Sequence, residues 1–344
     1  MHHADCTVSE VISRFLAHRT GKQLAATSVQ LYRRKLAVWS AWRATQADAP
    51  LLGMVDLDEL DRFFAYLTGE HVPHGSNPRR PAVVGQRLAP ETVAGYRRVL
   101  RALWMFARSR GWLTPGQMEF FGRDGVQVAR VVLEPRPVYE EDQFSAMLDA
   151  CGSGEDEESA RDRTIVAMLW ESGGRISELL SIDEKGMQVR QRRAWIVGKG
   201  GRRRWLRWGP MTQCEVLRYL QLRRGTLGDA QPLFRATGPK AGPASRLRSD
   251  TARARLRRQM EKVGIALVEG SPLHAFRRSF IQRGIDNGVH LANVSQLAGH
   301  EDVRTTMRYA LRNQEQLDQI YEDGYVRRIH RRSAEGLGGD GLSA

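Results

Sequence analysis

Apolar residues recur at helical spacing along most of the chain, and this pattern predicts a mainly helical protein. In the first third of the chain, four such stretches predict helices over 7–17, 26–44, 57–67 and 90–109. The segment 71–86, with three prolines and two glycines, predicts a loop ahead of the fourth helix. Opposite its apolar stripe, this helix carries a row of arginines, namely Arg97, Arg98, Arg101, Arg108 and Arg110. Such a row fits either a solvated surface or a face that binds nucleic acid.

The periodic pattern fades over 111–138, where Pro135 and Pro137 stiffen the backbone and only a short helix near 117–121 is expected. The last residues are rich in glycine, which favours a frayed end. We therefore predict a first domain over 1–115, a linker over 116–138, a second domain over 139–330 and a flexible tail over 331–344.

The second domain combines further helices with one β feature. Two short strands, 195–197 and 205–208, flank the glycine-rich segment 198–201, which predicts a hairpin and a small antiparallel sheet. Apolar periodicity predicts the helices around it over 140–151, 161–172, 212–224, 249–263, 275–287, 291–298, 303–309 and 314–325. The expected fold class is therefore mainly α, of the α+β type.

The composition adds a strong positive charge to this picture. Lys and Arg number 53 against 39 Asp and Glu, which gives 344 residues a formal net charge of +14 and a pI near 10.3. An excess of this size predicts a polyanionic partner, nucleic acid before any other. A hydrophobic content of 41% excludes wholesale disorder, and no apolar run is long enough for a membrane span.

The N-terminus shows no signal-peptide pattern. The three cysteines, Cys6, Cys151 and Cys214, are too scattered for a disulfide framework or a cysteine-rich zinc site. We therefore expect a cytoplasmic protein that has no membrane partner.

Four local patterns contain side chains suited to anion chemistry. In the first, the pair Gly173-Gly174 interrupts a helix, and Arg175 begins the next helix with Glu178 three residues later. An arginine at a helix N-terminus directs its guanidinium group towards an anion, but the same pattern fits a surface arginine paired with Glu178. In the second, Lys199 lies at the tip of the hairpin, where exposed lysines are also common.

The other two patterns lie further along the chain. His274 and Arg277 are three residues apart and would share one face of a helix, which suits proton transfer beside an anion. His300 ends the sequence Leu-Ala-Gly-His over 297–300, and Tyr309 follows nine residues later. A tyrosine at such a position is also typical of a helical core, so that no single pattern is specific.

In this order and at this spacing, the four patterns resemble the signature of the tyrosine recombinases, also called the phage integrase family. The segment 272–280, Pro-Leu-His-Ala-Phe-Arg-Arg-Ser-Phe, is similar to the second box of that family, and 296–309 is similar to the third. The resemblance is close over about 139–325. It is looser over 7–110, which is similar to the core-binding domain of the family.

The chain also departs from the family pattern. Arg278 stands where relatives often carry a second histidine, and Gly174 stands where they often carry a larger apolar residue. Since no additional small domain is seen ahead of residue 7, we expect the simpler two-domain organisation of the Xer-like members. The resemblance implies a helical N-terminal core-binding domain and a mixed helical catalytic domain with a small antiparallel β-sheet.

The resemblance implies a site-specific DNA recombinase or integrase. Such an enzyme cuts and rejoins DNA strands through a 3′-phosphotyrosyl intermediate and a Holliday junction. Tyr309 would be the nucleophile, and Arg175 and Arg277 would bind the non-bridging oxygens of the scissile phosphate. Lys199 would protonate the leaving 5′-oxygen.

The resemblance also implies roles for the remaining residues of the site. His274 would act as base or proton relay, His300 would hydrogen-bond the phosphate, and Glu178 would hold Arg175 or His274 in place. No metal ion is expected, because the arginines supply the positive charge. No other cofactor is expected either, because the phosphotyrosyl bond conserves the energy of the cut strand.

Double-stranded DNA with a specific recombination site is the expected partner, enclosed between the basic faces of the two domains. The expected DNA contacts are Arg97, Arg98, Arg101, Arg108 and Arg202. The C-terminal helix, 314–325, is expected to dock on a neighbouring subunit and form a homotetramer on two DNA sites, unless it folds back on its own domain. Integration or excision of a mobile element at the nucleoid is the expected role, and an accessory directionality factor is left open.

Two other functions fit part of the pattern. A type IB topoisomerase shares the arginine, lysine and tyrosine chemistry, but it would relax supercoiled DNA without sequence preference or synapsis. A DNA-binding accessory factor that has lost its activity would not need Lys199 or Tyr309. The two boxes over 272–280 and 296–309 favour recombination.

Overall fold

The computed structural model describes residues 6–22, 24–46, 51–72, 87–122, 124–129, 137–198, 201, 203–223, 231–238, 241–242, 244–265, 272–300, 302–307, 309, 318 and 321–326. The chain forms two compact units, residues 1–132 and 133–344. No helix within the described ranges is long and apolar enough to span a lipid bilayer.

The first unit is a helical bundle. It contains α1 (Val8–Gly21), α2 (Ala26–Ala44), α3 (Leu57–Gly69) and α4 (Pro90–Ser109), with 3₁₀ turns at Leu52–Met54 and Gly116–Phe121. Each α-helix contributes a fully buried aromatic side chain to one core, namely Phe15, Trp39, Phe63 and Trp104. Trp39 and Trp104 meet edge to face with ring centroids 5.4 Å apart, an arrangement that favours aromatic packing.

Helix α4 has the bounds that its apolar stripe predicts. Leu103 and Ala107 are fully buried on one face, because an amphipathic helix directs its apolar stripe into the core. On the other face Arg98, Arg101 and Arg108 are exposed. The helix therefore presents a row of cationic side chains to solvent.

The described part of the segment that follows α4, up to residue 129, belongs to the first unit, within the range 116–138 for which the sequence predicts a linker. Phe121 and Val126 are buried in the core of that unit. Arg97 holds the segment in place, since its Nε donates to the carbonyl oxygen of Val126 at 2.9 Å and its Nη2 to that of Phe121 at 2.8 Å. Arg97 is thus turned inwards and does not share the exposure of the arginine row.

The second unit combines helices with a small sheet. Its helices are α5 (Glu141–Ala150), α6 (Glu157–Ser172), α7 (Ile176–Leu180), α8 (Pro210–Leu222), α9 (Ser249–Lys262), α10 (Pro272–Asp286), α11 (Leu291–Ala298) and α12 (Val303–Met307). Shorter turns lie at Glu184–Gly186, Val189–Gln191 and Tyr321–Val326. Helix α6 packs against α8 and α10 and is buried on almost every face, from Ile165 to Leu169 in particular.

The sheet consists of β1 (Met187–Gln188), β2 (Arg193–Val197) and β3 (Arg203–Arg207), antiparallel and in that order. Ala194 and Leu206 face each other on the buried side. Trp195 and Trp205 face each other on the outer side, where their rings stack with centroids 4.1 Å apart. This cross-strand pair helps to fix the register of the hairpin.

These elements confirm the expected fold class, which is mainly α with a small antiparallel sheet. Strand β1 was not predicted, because two residues are too few to show an alternating pattern. Most of the predicted C-terminal helix over 314–325 lies outside the described residues. Where the description resumes, Tyr321–Val326 forms a π-helical turn.

Candidate active site

Two glycines determine where Arg175 lies. Gly173 follows α6 in the left-handed conformation, with φ of 60°. A Cβ atom on Gly173 would lie 2.4 Å from the Phe280 ring, and one on Gly174 would lie 2.4 Å from the Leu179 side chain. Position 173 therefore requires glycine, whereas a Cβ atom on Gly174 needs only a shift of the leucine side chains beside it. The tight turn makes Arg175 the N-cap residue of α7.

Glu178, on α7, accepts hydrogen bonds from two arginines. Its Oε1 accepts from Nη1 of Arg175 at 2.7 Å. Its Oε2 accepts from the Arg175 backbone N–H at 2.9 Å and from Nη2 of Arg204 at 3.0 Å. Burial alone would raise the pKa of this carboxyl group, but these N–H donors and the two positive charges outweigh burial and lower the pKa. Glu178 is therefore ionised near neutral pH and fixes the direction of Arg175.

Arg277, on α10, is almost fully buried, with 1% of the residue exposed to solvent. Its Nη1 donates to the Gly173 carbonyl oxygen at 3.0 Å, and its Nε donates to Nε2 of His300 at 3.3 Å. Burial and the nearby charge of Arg175 lower the pKa of Arg277 to about 10, so the group remains charged at neutral pH. Its Nη2 is buried and finds no hydrogen-bond partner in the described part of the chain.

His300 follows Gly299, which ends α11 in the left-handed conformation. Because the Nε–H of Arg277 can only donate, Nε2 of His300 must accept, and the ring proton then lies on Nδ1. This Nδ1–H donates to Oγ1 of Thr306 at 2.6 Å. Burial, followed by the charges of Arg277 and other nearby cations, lowers the pKa of His300 to about 3. The imidazole is therefore neutral throughout the physiological pH range.

Tyr309 lies against this imidazole. The two rings stack with centroids 5.9 Å apart and an interplanar angle of 12°. The tyrosine also packs against the small apolar cluster of Ile281, Val294 and Ala298. Its backbone N–H donates to the carbonyl oxygen of Thr306. Thr306 therefore contacts Tyr309 through its backbone and His300 through its hydroxyl.

Contacts within the second unit connect five of the predicted residues in one group: Arg175, Glu178, Arg277, His300 and Tyr309. His274 is exposed on α10 one turn before Arg277, and its charge contributes to the lowered pKa of His300. Lys199 and Arg202 lie outside the described residues.

Two members of the group were not predicted from the sequence. Arg204 lies on the same face of β3 as the buried Leu206, and strand alternation is a signal that would have indicated an inward arginine there. Thr306 is fully buried beside His300, whereas its neighbour Thr305 is exposed. Nothing in the sequence distinguishes these two threonines.

The charges of the group suit an anionic ligand. Three guanidinium groups, those of Arg175, Arg204 and Arg277, surround one ionised carboxylate. Guanidinium groups bind the oxygens of phosphate in a planar, bidentate geometry, and here a tyrosine hydroxyl belongs to the same site. Within the described ranges, no group of three or more His, Cys, Asp or Glu residues is arranged to hold a metal ion.

Comparison with known proteins agrees with this chemistry. The profile of the phage integrase family matches residues 137–316. The tyrosine recombinase XerC of Rickettsia massiliae (strain Mtu5) is 28% identical over 172 residues, which cover 48% of this chain and 52% of that protein. XerC of Rickettsia prowazekii (strain Madrid E) is 28% identical over 170 residues, with the same coverage. The chain thus spans about half the length of the curated relatives it matches.

Solved structures share the fold at lower sequence identity. The Tn1549 transposon integrase in complex with a circular intermediate DNA matches with a TM-score of 0.66 and 15% identity, over 92% of this chain and 99% of that one. The XerH recombinase bound to a palindromic difH substrate matches with a TM-score of 0.65 and 16% identity, over 92% and 84%. Since the family profile covers just over half of the sequence, the chain belongs to the phage integrase family.

The role of Thr306 can be tested without any substrate. Thr306→Val keeps the shape of the side chain and removes the hydroxyl that accepts the His300 Nδ1–H. We expect the Nδ1 signal of the imidazole to shift, because the Nδ1 proton then lacks its acceptor while the Nε–H of Arg277 still donates to Nε2. Nitrogen-15 NMR of histidine-labelled protein measures this, with the His300 signals assigned through a His300→Gln variant.

Thr305→Val is the matched control, and it should leave the ring signals of His300 unchanged because Thr305 is exposed. Unchanged His300 signals in Thr306→Val would contradict the hydrogen bond from Nδ1–H to Thr306.

Proposed function

We propose that this protein is a site-specific DNA recombinase that cuts and rejoins strands through a 3′-phosphotyrosyl intermediate. The proposal rests on Nη2 of Arg277, which is buried and has no partner among the described residues. The same guanidinium group is bonded to the imidazole that stacks on Tyr309. A buried polar nitrogen is expected to have a partner, and a non-bridging oxygen of a scissile phosphate supplies one close to a nucleophile.

In the proposed reaction, the Tyr309 oxygen attacks the phosphorus atom of the scissile phosphate. A bond between phosphorus and the tyrosine oxygen forms, and the bond to the 5′-oxygen breaks. Arg175 and Arg277 stabilise the negative charge that grows on the non-bridging oxygens in the transition state. Because the phosphotyrosyl bond conserves the energy of the cut strand, a 5′-hydroxyl from a partner strand can reverse the step and lead to a Holliday junction.

Two protons move in this step. His274 takes the phenolic proton as base or relay, and Lys199 supplies the proton that the leaving 5′-oxygen needs. The sequence predicted that His300 hydrogen-bonds the phosphate, but Nε2 carries no proton in the tautomer that the Arg277 hydrogen bond implies. We propose instead that His300 orients Arg277.

The nucleophile can be tested with a trapped covalent adduct. The substrate is a duplex that the protein selects from a random DNA library. A series of substrates carries a nick at each position in turn. Cleavage near the nick releases a short product, whose loss prevents religation. We expect an SDS-resistant protein–DNA adduct from the wild type and none from Tyr309→Phe, which has no oxygen to attack phosphorus. Tyr32→Phe is the control and should form the adduct, since Tyr32 packs against the core of the first unit and is not part of the site.

An adduct from Tyr309→Phe would show that another residue is the nucleophile. Relaxation of supercoiled plasmid by the wild type without sequence preference or synapsis would indicate a type IB topoisomerase instead. Binding of the selected duplex without cleavage at any nick position would indicate an accessory factor that has lost its activity.

We further propose that the exposed row on α4, Arg98, Arg101 and Arg108, contacts DNA phosphates, and that Arg202 adds a contact beside the hairpin. Replacing the three α4 arginines with glutamine should weaken binding to all sequences alike. The slope of log K against log salt concentration should become shallower by about 0.9 for each phosphate that the variant no longer neutralises. Fluorescence anisotropy over a salt series measures this slope.

Arg97→Met is the matched control on the same helix. It should leave the salt slope unchanged and lower the free energy of unfolding by about 1–3 kcal/mol, because two backbone carbonyl oxygens lose their donor. An unchanged slope in the triple variant would place the DNA contacts on another face.

We also propose the assembly and biological role that the resemblance implies. The enzyme acts as a homotetramer on two DNA sites, at the nucleoid in the cytoplasm. Its role is the integration or excision of a mobile element, with or without a directionality factor. The apolar positions Leu317, Ile320 and Tyr321 in the C-terminal sequence are suited to docking on a neighbouring subunit.

Truncation tests this assembly. A chain that ends at residue 313 lacks these apolar positions and should bind the selected duplex without forming tetramers, as measured by analytical ultracentrifugation. A chain that ends at residue 332 keeps them and should assemble normally. Tetramers formed by the shorter chain, together with a lower melting temperature of its DNA-free form, would mean that the segment folds back on its own domain.

A further inference from the structure

We infer that Arg204 is a positioning residue that holds the Arg175 segment and the His300 turn in a fixed relation. This inference rests on the proposed recombinase function. Arg204 lies on β3 opposite Ile196, at a position whose side chain points to the buried face of the sheet. Its two exposed neighbours, Arg203 on the same strand and Trp195 across the sheet, point to the other face.

The guanidinium group of Arg204 joins two separate parts of the site. Its Nη2 donates to Oε2 of Glu178 at 3.0 Å, and Glu178 in turn holds both the backbone and the side chain of Arg175. Its Nη1 donates to the carbonyl oxygen of Leu297 at 3.0 Å, and Nη2 also reaches that of Ala298 at 3.3 Å. Arg204 therefore connects α7 to the end of α11.

The end of α11 is suited to receive this cation. Leu297 and Ala298 are the last two residues of the helix, where backbone carbonyl oxygens lack partners within the helix and the helix dipole favours positive charge. Gly299 follows with φ of 71°, and a Cβ atom there would lie 2.4 Å from Nε of Arg204. The glycine thus serves both the left-handed turn into His300 and the approach of the arginine.

The contacts of Arg204 differ from those expected of an arginine that binds phosphate. Both of its terminal nitrogens are already bonded to protein oxygens, and its side chain is only 18% exposed. Arg277 differs, because its Nη2 has no partner among the described residues. Arg204 therefore acts through Glu178 and the helix-end carbonyls, and it does not need to touch the reacting atoms.

Arg204→Met tests this inference because it keeps an unbranched side chain and removes all three hydrogen bonds. In this variant Arg175 is the only arginine that still donates to Glu178. The turn that begins with Gly299 loses the hydrogen bonds that connect it to β3. We expect single-turnover adduct formation on the selected, nicked duplex to fall about 100-fold, as small displacements of reacting groups commonly do. Affinity for the uncut duplex should stay within a factor of about three, because Arg204 makes no DNA contact.

Two further variants support the measurement. Arg207→Met, on the exposed face of the same strand, is the matched control and should react at the wild-type rate. Arg204→Lys keeps the charge but cannot span three acceptors with a planar fork, so its rate should fall between the wild type and Arg204→Met. The lysine variant also decides the question if Arg204→Met fails to fold, which melting temperatures will show.

A second readout does not depend on activity. The ring-nitrogen signals of His300 should shift in Arg204→Met and Arg204→Lys and stay in place in Arg207→Met. Cleavage by the Arg204 variants at the wild-type rate, or unshifted His300 signals, would overturn the inference. If the wild type forms no adduct at all, the proposed function fails, and the His300 signals alone then decide whether Arg204 holds the turn.

Discussion

Three guanidinium groups gathered around a single ionised carboxylate are the arrangement on which the rest of the site depends. The positive charges of neighbouring guanidinium groups repel each other, and the repulsion is stronger where protein replaces water. The lowered pKa values of Arg277 and His300 reflect burial first and that repulsion second. Glu178 and the backbone carbonyl oxygens of Gly173, Leu297 and Ala298 offset part of it. The remaining excess of positive charge suits the site to an anionic ligand.

The fold can bring these charges together because the backbone turns tightly at two helix ends. Gly173 ends α6 and Gly299 ends α11, both in the left-handed conformation. The first turn brings a carbonyl oxygen to Arg277, and the second admits Arg204. Neutral His300 lies between the guanidinium of Arg277 and the ring of Tyr309, so it links these two side chains without adding a further positive charge.

Much of this could be predicted from the sequence where the signal is local. The apolar stripes of α4 and α11 gave both bounds of each helix, and the order of short motifs led to Arg175 and Tyr309. Contacts between distant residues could not be predicted. Arg97 has the spacing of an exposed residue, yet carbonyl oxygens 24 and 29 residues away turn it inwards. The partners of Arg204 on α7 and α11 lie 26 and 93 residues away, so no local pattern reveals them.

Nη2 of Arg277, which has no partner among the described residues, also has a consequence for the lifetime of the protein. An anion that binds this site only in the native state relieves the repulsion there and shifts the folding equilibrium by mass action. Such an anion would stabilise the folded second unit as well as occupy its site. Copies without the anion would then open more often and be cleaved first by proteases, so that the protein would persist longest where its ligand is bound.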